Sequence, residues 1–272
     1  DGQVRTLSYE NVRTDGEVDQ AVEDAVRRGA NVIFTTTPKL LLSSVRQAAL
    51  HPDVKILNCS LNTSYPSVRT YYPRLYGAKF IKGAIAGTLT RDGCIGYVAD
   101  YPTYGSIASI NAFAQGARMV NANARIYLDW AHLRDGGAVG RLQAQGIVYI
   151  DYLDRLAAST GTQMGNRHNL ALIQTHWGRL YQSLVRRVME GSWKQEDQGS
   201  SAVNYWWGME QGVVSVLCSR RLPTGPRRLA GVLREALKAD RLDPFYGVLM
   251  YQSGRVVYGD DAPMPADRIL SM

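Results

Sequence analysis

A short β-branched strand, a polar tip and an amphipathic helix recur several times along this chain. That repetition constrains the fold more than any single residue does. Asn31-Val-Ile-Phe34 leads into Thr35-Thr36-Thr37-Pro38 and a helix, and Val54-Lys-Ile-Leu57 leads into Asn58-Cys59-Ser60. Cys94-Ile-Gly-Tyr-Val-Ala99 runs into Asp100-Tyr101-Pro102, and Arg125-Ile-Tyr-Leu128 into Asp129-Trp130. Strands alternating with helices at this spacing predict parallel sheets covered on both faces. In open sheets of this kind a ligand sits outside the carboxyl ends of the strands, so the polar tips are where function is sought.

The helices carry their own signals. Thr14-Asp-Gly-Glu17 has the spacing of a capping box, and Val18, Ala21, Val22, Ala25 and Val26 follow on one helical face until Gly29. Pro38 suits the first turn of a second helix, with Leu41, Leu42, Val45, Ala48 and Ala49 facing inward. Further helices are expected over Lys79–Thr90, Ile107–Val120, Val139–Gln145, Leu180–Glu190 and Arg227–Ala239. Strands are expected at Ile147–Ile150, Leu170–Ile173 and Val213–Leu217, and a hairpin between Phe245 and Tyr258. Arg155 to His168 reads as a polar loop, and Ser192 to Ser201 as a polar linker. Gln3 to Leu7 is a candidate opening strand, and in a doubly wound lobe one strand–helix unit ordinarily comes before it.

Composition narrows the function classes. The 272 residues are 45% hydrophobic and 20% charged, enough for large cores, and no apolar run approaches the roughly 20 residues that span a bilayer. A net charge of +7 invites a nucleic-acid partner, but the arginines are scattered, several in last helical turns, and no nucleic-acid motif accompanies them. Cys59, Cys94 and Cys218 form no C-x-x-C pair and read as buried thiols. His51, His132, His168 and His176 lack metal-type spacing, and there is no nucleophile elbow, P-loop or dinucleotide fingerprint. An enzyme, a cofactor and a metal are therefore not expected. The chain is instead rich in aromatic and hydroxyl side chains near the strand tips, which suits a cleft for a small, partly aromatic ligand.

Several segments resemble the basic-membrane-protein, PnrA-like family of solute-binding proteins that serve ABC importers of purine nucleosides. They are Gly29-Ala-Asn-Val-Ile-Phe34, His51-Pro-Asp-Val-Lys-Ile-Leu-Asn58, Tyr76-Gly-Ala-Lys-Phe-Ile-Lys-Gly-Ala-Ile-Ala-Gly-Thr-Leu-Thr90 and Ile95-Gly-Tyr-Val98. Asn111-Ala-Phe-Ala-Gln-Gly116, Val120-Asn121, Trp177-Gly178, Gly191-Ser-Trp-Lys194, Trp207-Gly-Met-Glu-Gln-Gly-Val-Val214 and Asp243-Pro-Phe245 follow in collinear order. The resemblance implies an α/β fold of two doubly wound parallel-sheet lobes, the type 1 periplasmic-binding-protein arrangement, with the first lobe lacking its initial strand–helix unit. One lobe is expected from residues 1–92 plus 174–207 and the other from 93–173 plus 208–272. It further implies hinge closure on a nucleoside-like ligand, an ABC permease as partner, and membrane-anchored extracytoplasmic localisation.

The expected ligand contacts are Thr36, Thr37, Asn58, Ser60, Tyr71, Asp100, Tyr101, Trp130, Asp151, His176, Trp177 and Trp206. The family's ribose-contacting lysine before the Trp177-Gly178 match is replaced by Gln174, Thr175 and His176, and Asp151 is a loose match to its ribose-binding Asp. Two other readings stay open. One is a cytoplasmic ligand-sensing regulatory domain of a larger protein. The other is a nucleoside hydrolase dependent on Asp151 or His176.

Overall fold

The structure is a computed structural model that describes residues 4–61, 65, 67–100, 105–132, 137–159, 167–192, 204–250, 253–259 and 261–272, with backbone alone at 159, 167 and 168. In chain order the elements begin α1 (Asp15–Arg27), β1 (Val32–Thr35), α2 (Leu41–Leu50), β2 (Lys55–Cys59), β3 (Val68–Pro73), α3 (Tyr76–Leu89), β4 (Cys94–Ala99) and α4 (Ser106–Val120). They continue with β5 (Arg125–Trp130), α5 (Ala138–Ala144), β6 (Tyr149–Tyr152), β7 (Arg155–Ser159), β8 (Arg167–Thr175) and α6 (Trp177–Met189). The last are β9 (Tyr205–Trp207), β10 (Val214–Cys218), α7 (Thr224–Lys238), β11 (Leu249–Met250), β12 (Val256–Tyr258) and α8 (Ala266–Leu270). The chain divides into two compact units, residues 1–72 with 183–206 and residues 73–182 with 207–272.

In the first unit, α1 starts where the sequence expects it. The Glu17 carboxylate accepts from Thr14 N at 2.8 Å, while the Thr14 hydroxyl accepts from Glu17 N at 3.4 Å. It ends in a Schellman motif: Ala30 N donates to Ala25 O and Gly29 N to Val26 O, both at 2.9 Å, with Gly29 at φ +87°. Val18 and Val22 of α1 pack with Leu40, Leu41 and Ala48 against Ile56 and Val68 of the sheet. That sheet has the order β1-β2-β3-β9, and β1, β2 and β3 are parallel, with Thr35 opposite Asn58 and Cys59 opposite Tyr71.

The second unit is built on a six-stranded sheet of order β10-β8-β7-β6-β4-β5. β4, β5 and β6 are parallel, whereas β7, β8 and β10 extend the sheet antiparallel. Val98, Ala138, Leu142, Ile147 and Ile150 form a core between α5 and this sheet. α3 crosses α4 at backbone contact: a Cβ on Gly83 would lie 1.9 Å from Phe113 O, and one on Gly116 would lie 2.0 Å from Phe80 O. This docking makes α3 part of the second unit, and the chain passes from the first unit to the second at 72/73.

Three sequence expectations change. Residues Val4 to Leu7 form no strand, and Gln3 lies outside the described residues. The expected loop at 155–168 instead contributes β7 and the start of β8, because Arg155–Ser159 folds back on β6 through a two-residue turn. β3 was not expected at all; its polar Arg69 is buried by donating to the Tyr205 hydroxyl at 2.6 Å. Most of the expected linker Ser192–Ser201 lies outside the described residues.

Candidate functional site

The carboxyl edge of the first unit's sheet is a connected polar cluster. Asn58, fully buried on β2, donates from Nδ2 to Thr35 Oγ1 at 2.8 Å and to Thr37 O at 3.0 Å. Thr35 Oγ1 also lies 2.9 Å from Ser44 Oγ, and the buried Tyr71 hydroxyl donates to Thr35 O at 3.2 Å. The parallel register that aligns Thr35 with Asn58 is what brings these groups together. Both amide protons of Asn58 are committed, which leaves Oδ1 as a fully buried acceptor without a partner among the described residues; Ser60 Oγ is in the same position. Buried polar atoms are nearly always bonded, so two idle ones at a sheet edge are conspicuous. Thr36 is exposed, and Thr37 caps the turn that follows it. Trp206 is half-buried on β9. Burial pushes the Cys59 thiol up to about 11, so it is inert as a nucleophile.

The carboxyl edge of the second unit's parallel strands carries Asp100, Trp130 and the β6–β7 turn. Asp100 Oδ1 meets His132 Nε2 at 2.6 Å, joining the tips of β4 and β5. Trp130 is half-buried beside Asp129, whose carboxylate is gripped by Arg141 through Nε at 2.7 Å and a terminal nitrogen at 2.9 Å. Tyr101 lies outside the described residues. Further along, His176 Nε2 is 2.9 Å from Ser215 Oγ, and the His176 carbonyl accepts from the first turn of α6. Trp177, 38% exposed at the start of α6, stacks on Tyr181.

Asp151 is placed differently from the other candidates. Its carboxylate is fully buried between two lysines of α3, with Oδ2 at 2.8 Å from Lys79 Nζ and Oδ1 against Lys82 Nζ. Lys79 also reaches Asp154 Oδ1 at 2.9 Å and lies 5.0 Å above the Tyr97 ring. Burial pulls the Lys79 ammonium down, but Asp151, Tyr97 and Asp154 together outweigh it and hold it well above its ordinary value. Lys82 goes the other way: burial first, then the like charge of Lys79, against the attraction of Asp151, push it down to about 8. One carboxylate shared by two ammoniums explains the opposite signs, since only Lys79 pairs directly with a second carboxylate, Asp154. Lys79, Lys82, His132 and Asp154 were not selected from the sequence. Two lysines three apart in a helix rich in Ala, Gly and Ile are the available signal.

A separate shallow concavity in the second unit is lined by Arg74, Tyr76, Met209, Glu210, Leu237 and Asp240 among others. Arg74 pairs with Glu210 there and sits 5.3 Å over the Tyr76 ring, so its charge is already neutralised. None of the sequence-selected residues lines it. Among the described residues no helix is long and apolar enough to cross a membrane, and no group of His, Cys, Asp and Glu is arranged to hold a metal.

The family described as "ABC transporter substrate-binding protein PnrA-like" matches residues 2–161. A purine-binding protein of Brucella abortus is 25% identical, covering 92% of this chain and 76% of its own. A putative ABC transporter glucose-binding protein of Haloferax volcanii is also 25% identical, covering 75% of this chain and 56% of its own. Among solved structures, an ABC-transporter solute-binding protein from Conexibacter woesei aligns with a TM-score of 0.58 at 13% identity, covering 85% of this chain and 84% of that one. A transcriptional activator of the comK gene from Bacillus halodurans aligns at 0.64 and 16% identity, covering 87% and 88%. These structural likenesses bear on the fold alone.

Proposed function

Because this chain belongs to the PnrA-like family of ABC-transporter substrate-binding proteins, we propose that its solute is a purine nucleoside, taken up without catalysis and passed to an ABC permease. The observation that carries this reading is the pair of idle buried polar atoms, Asn58 Oδ1 and Ser60 Oγ, at the carboxyl edge of a parallel sheet. An acceptor with both of its amide's protons committed suits a ligand N–H, which purine edges supply. The purine-binding relative supports the same ligand class. Thr36, Thr37, Tyr71 and Trp206 in the first unit, and Asp100, Tyr101, Trp130, His176 and Trp177 in the second, are the contacts proposed with them. Binding by hinge closure is part of the proposal, with affinity drawn from contacts completed only on closing.

The test is a thermal shift and calorimetric titration with adenosine, guanosine and inosine, with glucose as the competing solute class. A ligand that binds the native state stabilises it by about 2.7 kcal/mol at 100 times its Kd, so melting should rise with nucleoside concentration. A flat response to all three nucleosides refutes the reading, and a rise with glucose alone replaces it. A regulatory domain would show the same shift, since the fold also serves a transcriptional activator; only the permease step separates the two.

A further inference from the structure

The charge of this chain is not spread evenly. Residues 219–241 hold seven basic side chains against two acidic ones, +5 of the net +7 of the whole chain. All lie in the second unit, on α7 and the segments that flank it. One face of α7 buries Pro226, Ala230, Leu233 and Leu237, at i, i+4, i+7 and i+11. The opposite arc carries Arg227, Arg228, Arg234 and Lys238, and the loop before the helix adds Arg220 and Arg221.

This grouping works against local physics. Arg227 and Arg228 stand near the amino-terminal end of α7, where the helix dipole disfavours cations and no acidic residue of the first turn offsets them. Arg227 donates to the carbonyls of Arg220 and Leu222, which folds the loop onto the helix and gathers its cations at the same end. Glu235 is the one carboxylate of α7, and Arg234 and Lys238 share it at 3.2 and 3.4 Å. Arg220 and Arg228 pair with no carboxylate among the described residues, and both are exposed. Clustered like charges repel one another until an external anion screens them.

The rest of the arc narrows the kind of anion. α7 has no aromatic ring to stack on a base and no Asn or Gln to read one. It does present Val232, 67% exposed, between the arginines. An aliphatic side chain among cations suits the boundary between lipid headgroups and acyl chains. At 15 residues the helix is about 20 Å long, enough to meet several headgroups at once. We infer that the outer face of α7, with the loop before it, is a surface that docks on anionic phospholipid headgroups. The arginines and Lys238 pair with lipid phosphates, and Val232 enters the headgroup layer. This surface is separate from the solute contacts and does not depend on them.

Sedimentation of the 272-residue chain with phosphatidylglycerol vesicles and with phosphatidylcholine vesicles, at low and high salt, tests the assignment. The expected result is binding to phosphatidylglycerol alone, weakened by salt. At about fivefold per basic residue at a membrane surface, Arg220→Gln with Arg228→Gln should bind about 25-fold more weakly. Arg13→Gln with Arg118→Gln removes the same charge from exposed positions elsewhere and should bind as the parent does. All four side chains are exposed, so thermal melts of both double variants should match the parent. Absence of binding to phosphatidylglycerol overturns the inference, as does an equal loss in the two double variants. Tighter binding of the parent to duplex DNA, lost in Arg220→Gln with Arg228→Gln, also overturns it and gives the face a nucleic-acid partner. Nucleoside titrations of the same proteins read the solute proposal separately, and its failure leaves this one standing.

Discussion

The crossing of α3 and α4 makes a sharp prediction, because the same Gly→Ala change should act with opposite sign in two helices of one unit. A methyl on Gly83 would sit 1.9 Å from Phe113 O and 2.8 Å from the Phe113 carbonyl carbon, where ordinary contact begins at 3.4 Å. Those atoms are backbone and cannot swing aside, so the helices must separate by about 1.5 Å along much of an otherwise fully buried interface. Overpacking a close-packed core costs about 1–3 kcal/mol or more, while alanine returns about 0.5–1 kcal/mol in helix propensity. The net expectation is about 2 kcal/mol of destabilisation. Gly231, in α7, has nothing within 4 Å of the corresponding position, so only the propensity gain remains. At about 2–4 °C per kcal/mol for a body of this size, Gly83→Ala should melt about 4–8 °C below the parent and Gly231→Ala about 2 °C above it. Circular-dichroism melts with parallel urea titrations measure both. Gly83→Ala melting at or above the parent would refute the reasoning, as would two shifts of the same sign.

Lys82, with its folded-state value pushed down to about 8 from 10.5, binds its proton less well folded than unfolded, so stability should rise as pH climbs from about 8 toward 10.5. Between pH 8 and 9.5 the gain is about 2 kcal/mol at 1.36 kcal/mol per unit, and urea midpoints should show it in the parent and not in Lys82→Met. Asp151→Asn leaves two buried ammoniums sharing only Asp154, and unpaired buried charge costs about 3–5 kcal/mol; a melt within 3 °C of the parent would contradict that role. Thr14→Ala removes the capping box and should cost about 1 kcal/mol, read as a lowered urea midpoint.

The parts of this fold set by local pattern were readable, and those set by distant partners were not. The capping box at Thr14, the strand Cys94–Ala99 and the small residues of α3 and α4 announce themselves within a few positions. β3 does not, because its Arg69 reads as a loop residue until Tyr205, 136 positions away, supplies the hydroxyl that lets it be buried. The β6–β7 turn lacks the glycine that marks such turns, which is why β7 was read as loop. At the first unit's edge, Asn58 and Ser60 are legible as a strand tip, but Thr35, which joins Asn58 to Tyr71, counts only as part of a threonine run. Asp151 illustrates the limit most clearly. Sequence gives its position after a strand and not the two ammoniums that occupy it, since those come from a helix some seventy residues earlier.

That shared carboxylate ties three positions into one inherited choice. Neither ammonium can be exchanged for a neutral side chain without altering the charge balance around the other. Drift at residues 79, 82 and 151 should therefore be concerted, with apolar replacements arriving at 82 first and 151 changing only once both cations are gone. Libraries randomising the three together should recover such combinations far more often than independent frequencies allow.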